Sequence, residues 1–334
     1  MGVGANLQGQ LGRGSTSTSE QYAAPVEFGT NGVLGNVTKI STGLSHVLFL
    51  ESSGRVLGVG NNSNQQISLT TLDKLSTPLY ITHSSSRPQY HTNIQGSDDY
   101  YYELEDAVDV AAGSSYSLYV KSDGSAWAQG STYSGQLGLG YSGSGNIEYP
   151  VRVLESGGYS VGYSANYLSS FVVAAAAGES ISYLLIDDGS VKAFGDNTYG
   201  ALGNGGSGSS SNIPVDVMIN STDKLSNIIA IEAGNQHVLF LDSSNEVWSL
   251  GRNVWGELGN GNNTGTHASY ATRVVDSSGN PLQGIVQIEA GVYNSLFLAS
   301  DGTIYGCGHG GYGQYGDGTI GNTSISAIAT GFSL

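Results

Sequence analysis

Five times along this chain a small residue and a glycine are followed, 17 residues after that glycine, by a second glycine. The first glycines are Gly43, Gly113, Gly178, Gly234 and Gly291, and their partners are Gly60, Gly130, Gly195, Gly251 and Gly308. A loop motif follows each second glycine, clearest as Gly195-Asp-Asn197-Thr-Tyr199-Gly200-Ala-Leu-Gly203-Asn-Gly205; a further copy opens the chain between Gly4 and Gly14. A unit of fixed internal length recurring at this scale builds a repeat architecture, in which each copy packs on its neighbours. Shared residues then make the scaffold, and function is expected where the copies differ.

Within one unit the pattern reads as strands. Ile228 to Gly234 is a short β-branched run, His237 to Leu241 a second apolar run, and Glu246 to Gly251 alternates apolar and polar residues. Runs of this length bounded by Gly, Asn, Asp and Ser are strands. The turn between the second and third reads Ser122-Asp123-Gly124 or Ser300-Asp301-Gly302, where glycine accepts the positive φ of a tight hairpin. A fourth strand is marked by Pro25-Val26, Pro78-Leu79, Pro150-Val151 and Pro214-Val215. Proline lacks a donor and therefore suits an edge. The expected fold is all-β, a β-propeller of four-stranded antiparallel blades. Residues 1–334 read as a single propeller of about six blades, one of them incomplete or shared between the termini. Ser324 to Ile328 aligns with the fourth strand, and the tail from Thr330 has a weak likeness to the start of another unit.

The sequence Ala233-Gly234-Asn-Gln-His237-Val-Leu-Phe-Leu241, together with the glycine loop, resembles the regulator-of-chromosome-condensation repeat family over nearly the whole chain. The resemblance implies the propeller fold. It implies little about activity, because the family includes a nuclear exchange factor for a small GTPase and secreted inhibitors of enzymes.

Charge narrows the partners. Eleven Lys and Arg face 27 Asp and Glu, a formal net charge of −16. Nucleic acid needs basic residues to displace counterions, so it is not an expected partner, and neither is an anionic membrane. No apolar run reaches the roughly 18 residues of a membrane span. The single cysteine, Cys307, excludes an intramolecular disulfide and a cysteine metal cluster. No cofactor motif stands out. The glycine loops lack the Gly-Lys-Ser/Thr ending of a phosphate cradle, the acidic stretch lacks calcium-loop spacing, and no serine sits in a nucleophile elbow. The chain is not expected to be an enzyme. His46 and His237 share one repeat position, where a hydrogen-bonded ring inside the blade is expected, and His309 reads as a loop residue.

Candidate contact residues are aromatic. One insertion, residues 83–106, holds Asp98-Asp-Tyr100-Tyr101-Tyr102-Glu103. A second, residues 155–171, holds Tyr159, Tyr163 and Tyr167 among Gly, Ser and Asn. Tyrosine in such surroundings is the composition of binding loops, and removing Tyr159 to Tyr167 is expected to spare folding while weakening a partner. Tyr199, Trp255 and Tyr312 each occupy the fourth place after the second glycine and are expected either to cover blade edges or to form a binding ring. The expected function is contact without chemistry, with a protein as partner, one that completes the open blade being a specific form of it. The expected setting is the outside of a particle, a phage virion component (tail, fibre or capsid decoration). The alternative is a binding or adhesion domain of a secreted or surface-anchored bacterial protein. A polar, lysine-poor surface without a visible export signal motivates this extracellular setting.

Overall fold

The computed structural model describes residues 1–28, 32–68, 72–84, 101–157, 166–262, 264–315 and 320–333. These form strands and turns, with no helix among them. Among the described residues no helix is therefore long and apolar enough to cross a membrane. The chain divides into two compact units, Met1–Ala175 and Ala176–Leu334.

In the first unit β1 (Gly2–Asn6) pairs with β2 (Ser17–Ala24), and β3 (Glu27–Phe28) forms a short hairpin with β4 (Gly32–Val33). A four-stranded sheet follows, made of β5 (Val37–Thr42), β6 (His46–Glu51), β7 (Val56–Asn61) and β8 (Lys74–Tyr80). The ribbon of β9 (Thr82–Ser84) and β10 (Tyr101–Glu103) leads to a second four-stranded sheet. That sheet comprises β11 (Ala107–Ala112), β12 (Tyr116–Lys121), β13 (Ala126–Ser131) and β14 (Asn146–Arg152). The division falls in β15 (Val172–Ala177), which heads a sheet with β16 (Ile181–Ile186), β17 (Val191–Gly195) and β18 (Ser211–Asp216). The second unit continues with β19 (Ile228–Ala233), β20 (His237–Asp242), β21 (Val247–Gly251) and β22 (Ala268–Arg273). Its last sheet holds β23 (Ile285–Ala290), β24 (Asn294–Ala299), β25 (Thr303–Gly310) and β26 (Asn322–Ser333).

Strands follow chain order within every sheet, so the four-stranded antiparallel blade read from one repeat recurs at each of the five glycine pairs. Three of the four marker prolines fall on edge strands as expected, Pro78 in β8, Pro150 in β14 and Pro214 in β18, whereas Pro25 lies just past β2, between it and β3. The opening copy is incomplete. β1 and β2 correspond to a third and a fourth strand, and β1 has no second partner strand among the described residues. One expectation needs correction. The tail does not begin a new unit, because β26 runs on to place Ala329 opposite Tyr305 and Ser333 opposite Thr303. The eight-residue β25 offers backbone partners along its whole free edge, and the tail takes them.

The two glycines of each pair serve different physical ends. A Cβ on Gly43 would lie 2.1 Å from the Gly113 carbonyl oxygen, and one on Gly234 would lie 2.3 Å from that of Gly291. At Gly43, Gly178 and Gly234 the first glycine lets consecutive repeats touch backbone to backbone, while at Gly113 and Gly291 it makes room for the Tyr116 ring and the Asn294 amide of the same repeat. The second sits at positive φ, between +95° and +111° in all five copies, a conformation that glycine alone adopts freely. Apolar cores lie between facing sheets. Leu48, Leu50, Val56, Val110 and Tyr119 form one in the first unit, and Leu239, Leu241, Ile288 and Phe297 form one in the second.

Candidate binding face

A buried skeleton holds each glycine loop. The asparagine two residues after the second glycine turns its Oδ1 inward to accept a backbone N–H five residues further on. The distances are 3.0 Å from Ile67 to Asn62, 3.0 Å from Leu202 to Asn197 and 3.2 Å from Leu258 to Asn253. An asparagine side chain closing its own loop in this way fixes the backbone without a regular ladder.

A second link joins neighbouring sheets. His46 Nε2 lies 3.0 Å from Ser117 Oγ, which donates to the Gln66 carbonyl at 2.7 Å. His237 Nε2 lies 3.0 Å from Ser295 Oγ, which donates to the Glu257 carbonyl at 2.8 Å. Each hydroxyl has one proton and gives it to a carbonyl, so it accepts from the imidazole. The Nε2 of each ring therefore carries a proton, and burial favours the neutral form. Burial lowers the His46 pKa to about 4. The His237 pKa is lowered to about 3, first by burial and then by the Arg252 charge. These are the hydrogen-bonded blade histidines the sequence led us to expect.

With the loop backbone fixed, the side chains one and six residues after the second glycine meet. In the first unit they are Asn61 and Gln66, a neutral pair at 3.0 Å, with the Gln66 Oε1 accepting the Asn64 N–H at 3.0 Å. In the second unit the same positions hold Arg252 and Glu257. Arg252 Nη1 donates to Glu257 Oε1 at 2.6 Å, and the Trp255 N–H donates to Glu257 Oε2 at 2.6 Å. Glu257 is fully buried. At the last copy His309 and Gln314 repeat the contact, the amide donating to His309 Nδ1 at 3.2 Å.

Aromatic rings gather on this framework. The Arg252 guanidinium carbon lies 4.8 Å from the Tyr293 ring centre and 6.0 Å from that of Tyr199. The His309 ring sits 4.8 Å from Trp255, 5.5 Å from Tyr312 and 6.5 Å from Tyr293. Tyr199 meets His267 edge-on at 4.7 Å, and His267 Nδ1 accepts the Asn253 N–H at 3.1 Å. Burial, ahead of the opposed influences of Glu257 and Arg252, lowers the His267 pKa. Trp255 is 38% exposed, Tyr293 42% and Tyr312 87%. The result is an aromatic face on the second unit, its rings in contact with one another and with Arg252 and carried on loops whose backbone is hydrogen-bonded below.

Of the contact residues read from sequence, Tyr199, Trp255 and Tyr312 come together here. Tyr100, Tyr159 and Tyr163 lie outside the described residues. Tyr101 and Tyr102 sit on β10, opposite Ser84 and His83, in a ribbon tied down where Arg55 Nη1 donates to Glu103 Oε2 at 3.1 Å. Tyr167 packs under Arg152, whose guanidinium carbon is 5.1 Å from its ring centre, and bridges to Leu154. Sequence reasoning did not single out Arg252, Glu257 or Tyr293, and it read His309 only as a loop residue. The available signal was the comparison of copies at the first and sixth places after the glycine; at the sixth, Glu257 is the only charged residue against Gln66, Gln136, Ala201 and Gln314. Among the described residues no cluster of His, Cys, Asp and Glu has the makings of a metal site.

Comparison with known proteins agrees with this architecture. Residues 188–241 match the model of the regulator of chromosome condensation (RCC1) repeat, and residues 37–66 and 285–314 match a second model of that repeat. The ultraviolet-B receptor UVR8 of Arabidopsis thaliana is 27% identical over 313 residues, covering 93% of this chain and 60% of UVR8. Human E3 ubiquitin-protein ligase HERC2 is 30% identical over 215 residues, covering 63% of this chain. The chain thus spans less than two thirds of these relatives, 60% of UVR8 and 4% of HERC2. Among solved structures, human WBSCR16 superimposes with a TM-score of 0.74 at 19% identity, covering 99% of this chain and 76% of that one. Prp20p of Saccharomyces cerevisiae gives 0.67 at 18% identity, covering 98% and 72%. Glycine spacing, blade topology, repeat models and structural likeness coincide, and the chain is a β-propeller built of RCC1-type repeats.

Proposed function

We propose that this propeller is a non-catalytic, protein-binding scaffold whose contact face is formed by Tyr199, Arg252, Trp255, Tyr293, His309 and Tyr312. The observation that carries this reading is the exposure of three aromatic side chains on a framework that the other copies build with small polar residues. Tyr, Trp and Arg are the residue types that dominate binding energy at protein interfaces. Rings carried on a loop whose backbone N–H groups are already bonded, Trp255 to Glu257 and Tyr312 to Gln314, leave less of the chain to be ordered when a partner arrives. A protein is the favoured class of partner because the Prp20p structure is described with its binding to Gsp1p and histones, and another structure holds yeast RCC1 bound to Kap60.

The test is a photo-crosslinking side chain placed at Tyr312 and, as a control, at the also exposed Tyr133 of the first unit, used in the native source. A single protein adduct of defined mass from position 312, absent at 133, is expected. Adducts at neither position, or the same adducts at both, would overturn the reading.

For the setting, the proposal is the outside of a particle, a phage virion first and a secreted or surface-anchored bacterial protein second. Its support is compositional: a net charge of −16, with only 11 Lys and Arg. The matched relatives are eukaryotic proteins and lend it no weight. Mass spectrometry across a density gradient of culture fluid tests it. Co-sedimentation with capsid proteins at fixed ratio is the expected result, and recovery as free or intracellular protein would remove the virion.

A further inference from the structure

We infer that the aromatic face of the second unit recognises cationic side chains, so that its partner presents a lysine- or arginine-bearing segment. The inference rests on the reading of this face as the contact surface and adds the chemistry of what it contacts.

Charge carries the argument. Residues 176–334 contain 14 acidic side chains and four basic ones. All four basic groups are engaged within the unit. Lys192 and Lys224 both hold Asp216, at 3.2 and 2.6 Å; Arg273 holds Glu246; and Arg252 holds Glu257 at 2.6 Å. An acidic partner would find no uncommitted cation here. Arg252, the one basic group inside the face, is only 12% exposed and lies against the Tyr293 and Tyr199 rings, so its charge is directed inward.

What the face turns outward is aromatic. The rings of Trp255, Tyr293 and Tyr312 carry a negative quadrupole on their faces, and a lysine or arginine near such a face is attracted. Carboxylates stand in the neighbouring loops. Asp196 occupies the place equivalent to Arg252 one copy earlier, and Glu179 accepts the Asn235 and Gln236 amides at 3.2 and 2.8 Å. A cationic segment therefore meets ring faces at the centre and negative charge around them. A purely apolar segment gains nothing from the carboxylates, and an acidic one is repelled by them.

The experiment uses the whole chain and three fluorescently labelled peptides of one sequence, differing only at two positions that hold lysine, its neutral isostere norleucine, or glutamate. Binding is read by anisotropy at about 0.15 M salt, where diffuse charge attraction is screened beyond roughly 8 Å. Saturable binding of the lysine peptide is expected, with the other two at least about tenfold weaker. W255A/Y312A should weaken the lysine peptide by about 5- to 30-fold, two exposed cation–π contacts' worth, while Y133A leaves it unchanged. Equal binding of norleucine, preference for glutamate, absence of lysine binding, or lysine binding that survives W255A/Y312A would each overturn the inference. A specific crosslink at position 312 alongside a failed peptide series would leave the contact face standing and reject only its cationic partner. Loss of the crosslink would reject the face itself.

Discussion

Asn61 with Gln66 and Arg252 with Glu257 occupy the same two places in the repeat, one in each unit. Beneath both pairs the wiring is identical: a histidine, a serine from the next sheet, and the carbonyl of the residue six after the glycine. Above them the chemistry diverges. The first pair is amide to amide with Asn64 at the motif's fourth place; the second is an ion pair beside Trp255. The buried half of the repeat is held constant by backbone geometry, and the exposed half is free to change. On the proposed reading, a propeller of this kind acquires a contact surface by altering side chains on a loop that is held by the same buried bonds in both units.

If the buried half is common to both units, damage to it should be alike in both. Gly43→Ala and Gly234→Ala each drive a methyl into the backbone carbonyl oxygen of the next repeat, at 2.1 and 2.3 Å. Each is expected to destabilise the protein by about 3 kcal/mol, at the upper end of overpacking effects. Gly35→Ala, where the added methyl meets nothing within 4 Å, is the control and should stay near wild type. Urea unfolding midpoints give the comparison, and a large difference between the two units would break the claim of a shared skeleton.

The histidine links sharpen the same point through pH. A neutral imidazole held in the folded state, at about 4 for His46 and about 3 for His237, binds a proton only after the unfolded chain, with its value near 6.5, has done so. Their stabilisation is complete above about pH 6.5 and is lost as pH falls from there toward the folded values. At 1.36 kcal/mol per pKa unit, His46 alone accounts for a loss of roughly 3 kcal/mol by pH 4. Replacing His46 by Asn, the residue that position 294 carries naturally at this place, should remove its share of the acid loss. Unfolding midpoints at pH 7, 5.5 and 4.5 would show it, and an unchanged slope would mean the ring is charged in the fold.

The blade was legible because glycine spacing, Asp-Gly turns and edge prolines are backbone constraints written directly into residue identity. Gly54, Gly124, Gly189 and Gly302 all take positive φ where the hairpin was read, and Asn245 does so in the one copy without glycine. The face was half legible. Tyr199, Trp255 and Tyr312 share one motif position and could be aligned. Tyr293 comes from the loop before β24, His309 from the place one after the glycine, and only folding brings them within reach of each other. Tyr167 misled because a tyrosine among Gly and Ser looks like a binding residue, whereas it packs under Arg152 at its loop's base. The fate of the tail was hidden too, because Thr330-Gly331 looks like the opening of a repeat, and pairing with β25 overrides that local pattern.

Making the second unit resemble the first at a single atom is a gentler perturbation. Glu257→Gln restores the amide of the other copies and keeps an acceptor for the Trp255 N–H, but it leaves Arg252 without its counter-charge. Removal of one partner from a buried pair is strongly destabilising when the other is trapped. Arg252 retains the Tyr293 and Tyr199 rings and some access to water, so a loss of about 1–2 kcal/mol is expected. The same change adds a positive charge to the face. It should weaken the lysine peptide and strengthen the glutamate peptide, and a variant that binds both as wild type does would show that the ion pair plays no part in recognition.

The smallest effect on the fold should accompany the largest effect on contact. Tyr312 is almost fully exposed and Trp255 partly so, and neither side chain donates or accepts one of the buried hydrogen bonds that hold the loop. The bonds they take part in are made by their backbone N–H groups, to Glu257 and Gln314, and survive truncation of the rings. Tyr312→Ala should therefore leave unfolding midpoints within about 0.5 kcal/mol of wild type, as for surface positions in general, and Trp255→Ala should cost little more. If either substitution lowers stability as much as Glu257→Gln does, the ring is a structural cover for the loop. The exposed half of this repeat would then be scaffold after all, and the division between a constant interior and a variable face would have to be redrawn one layer further out.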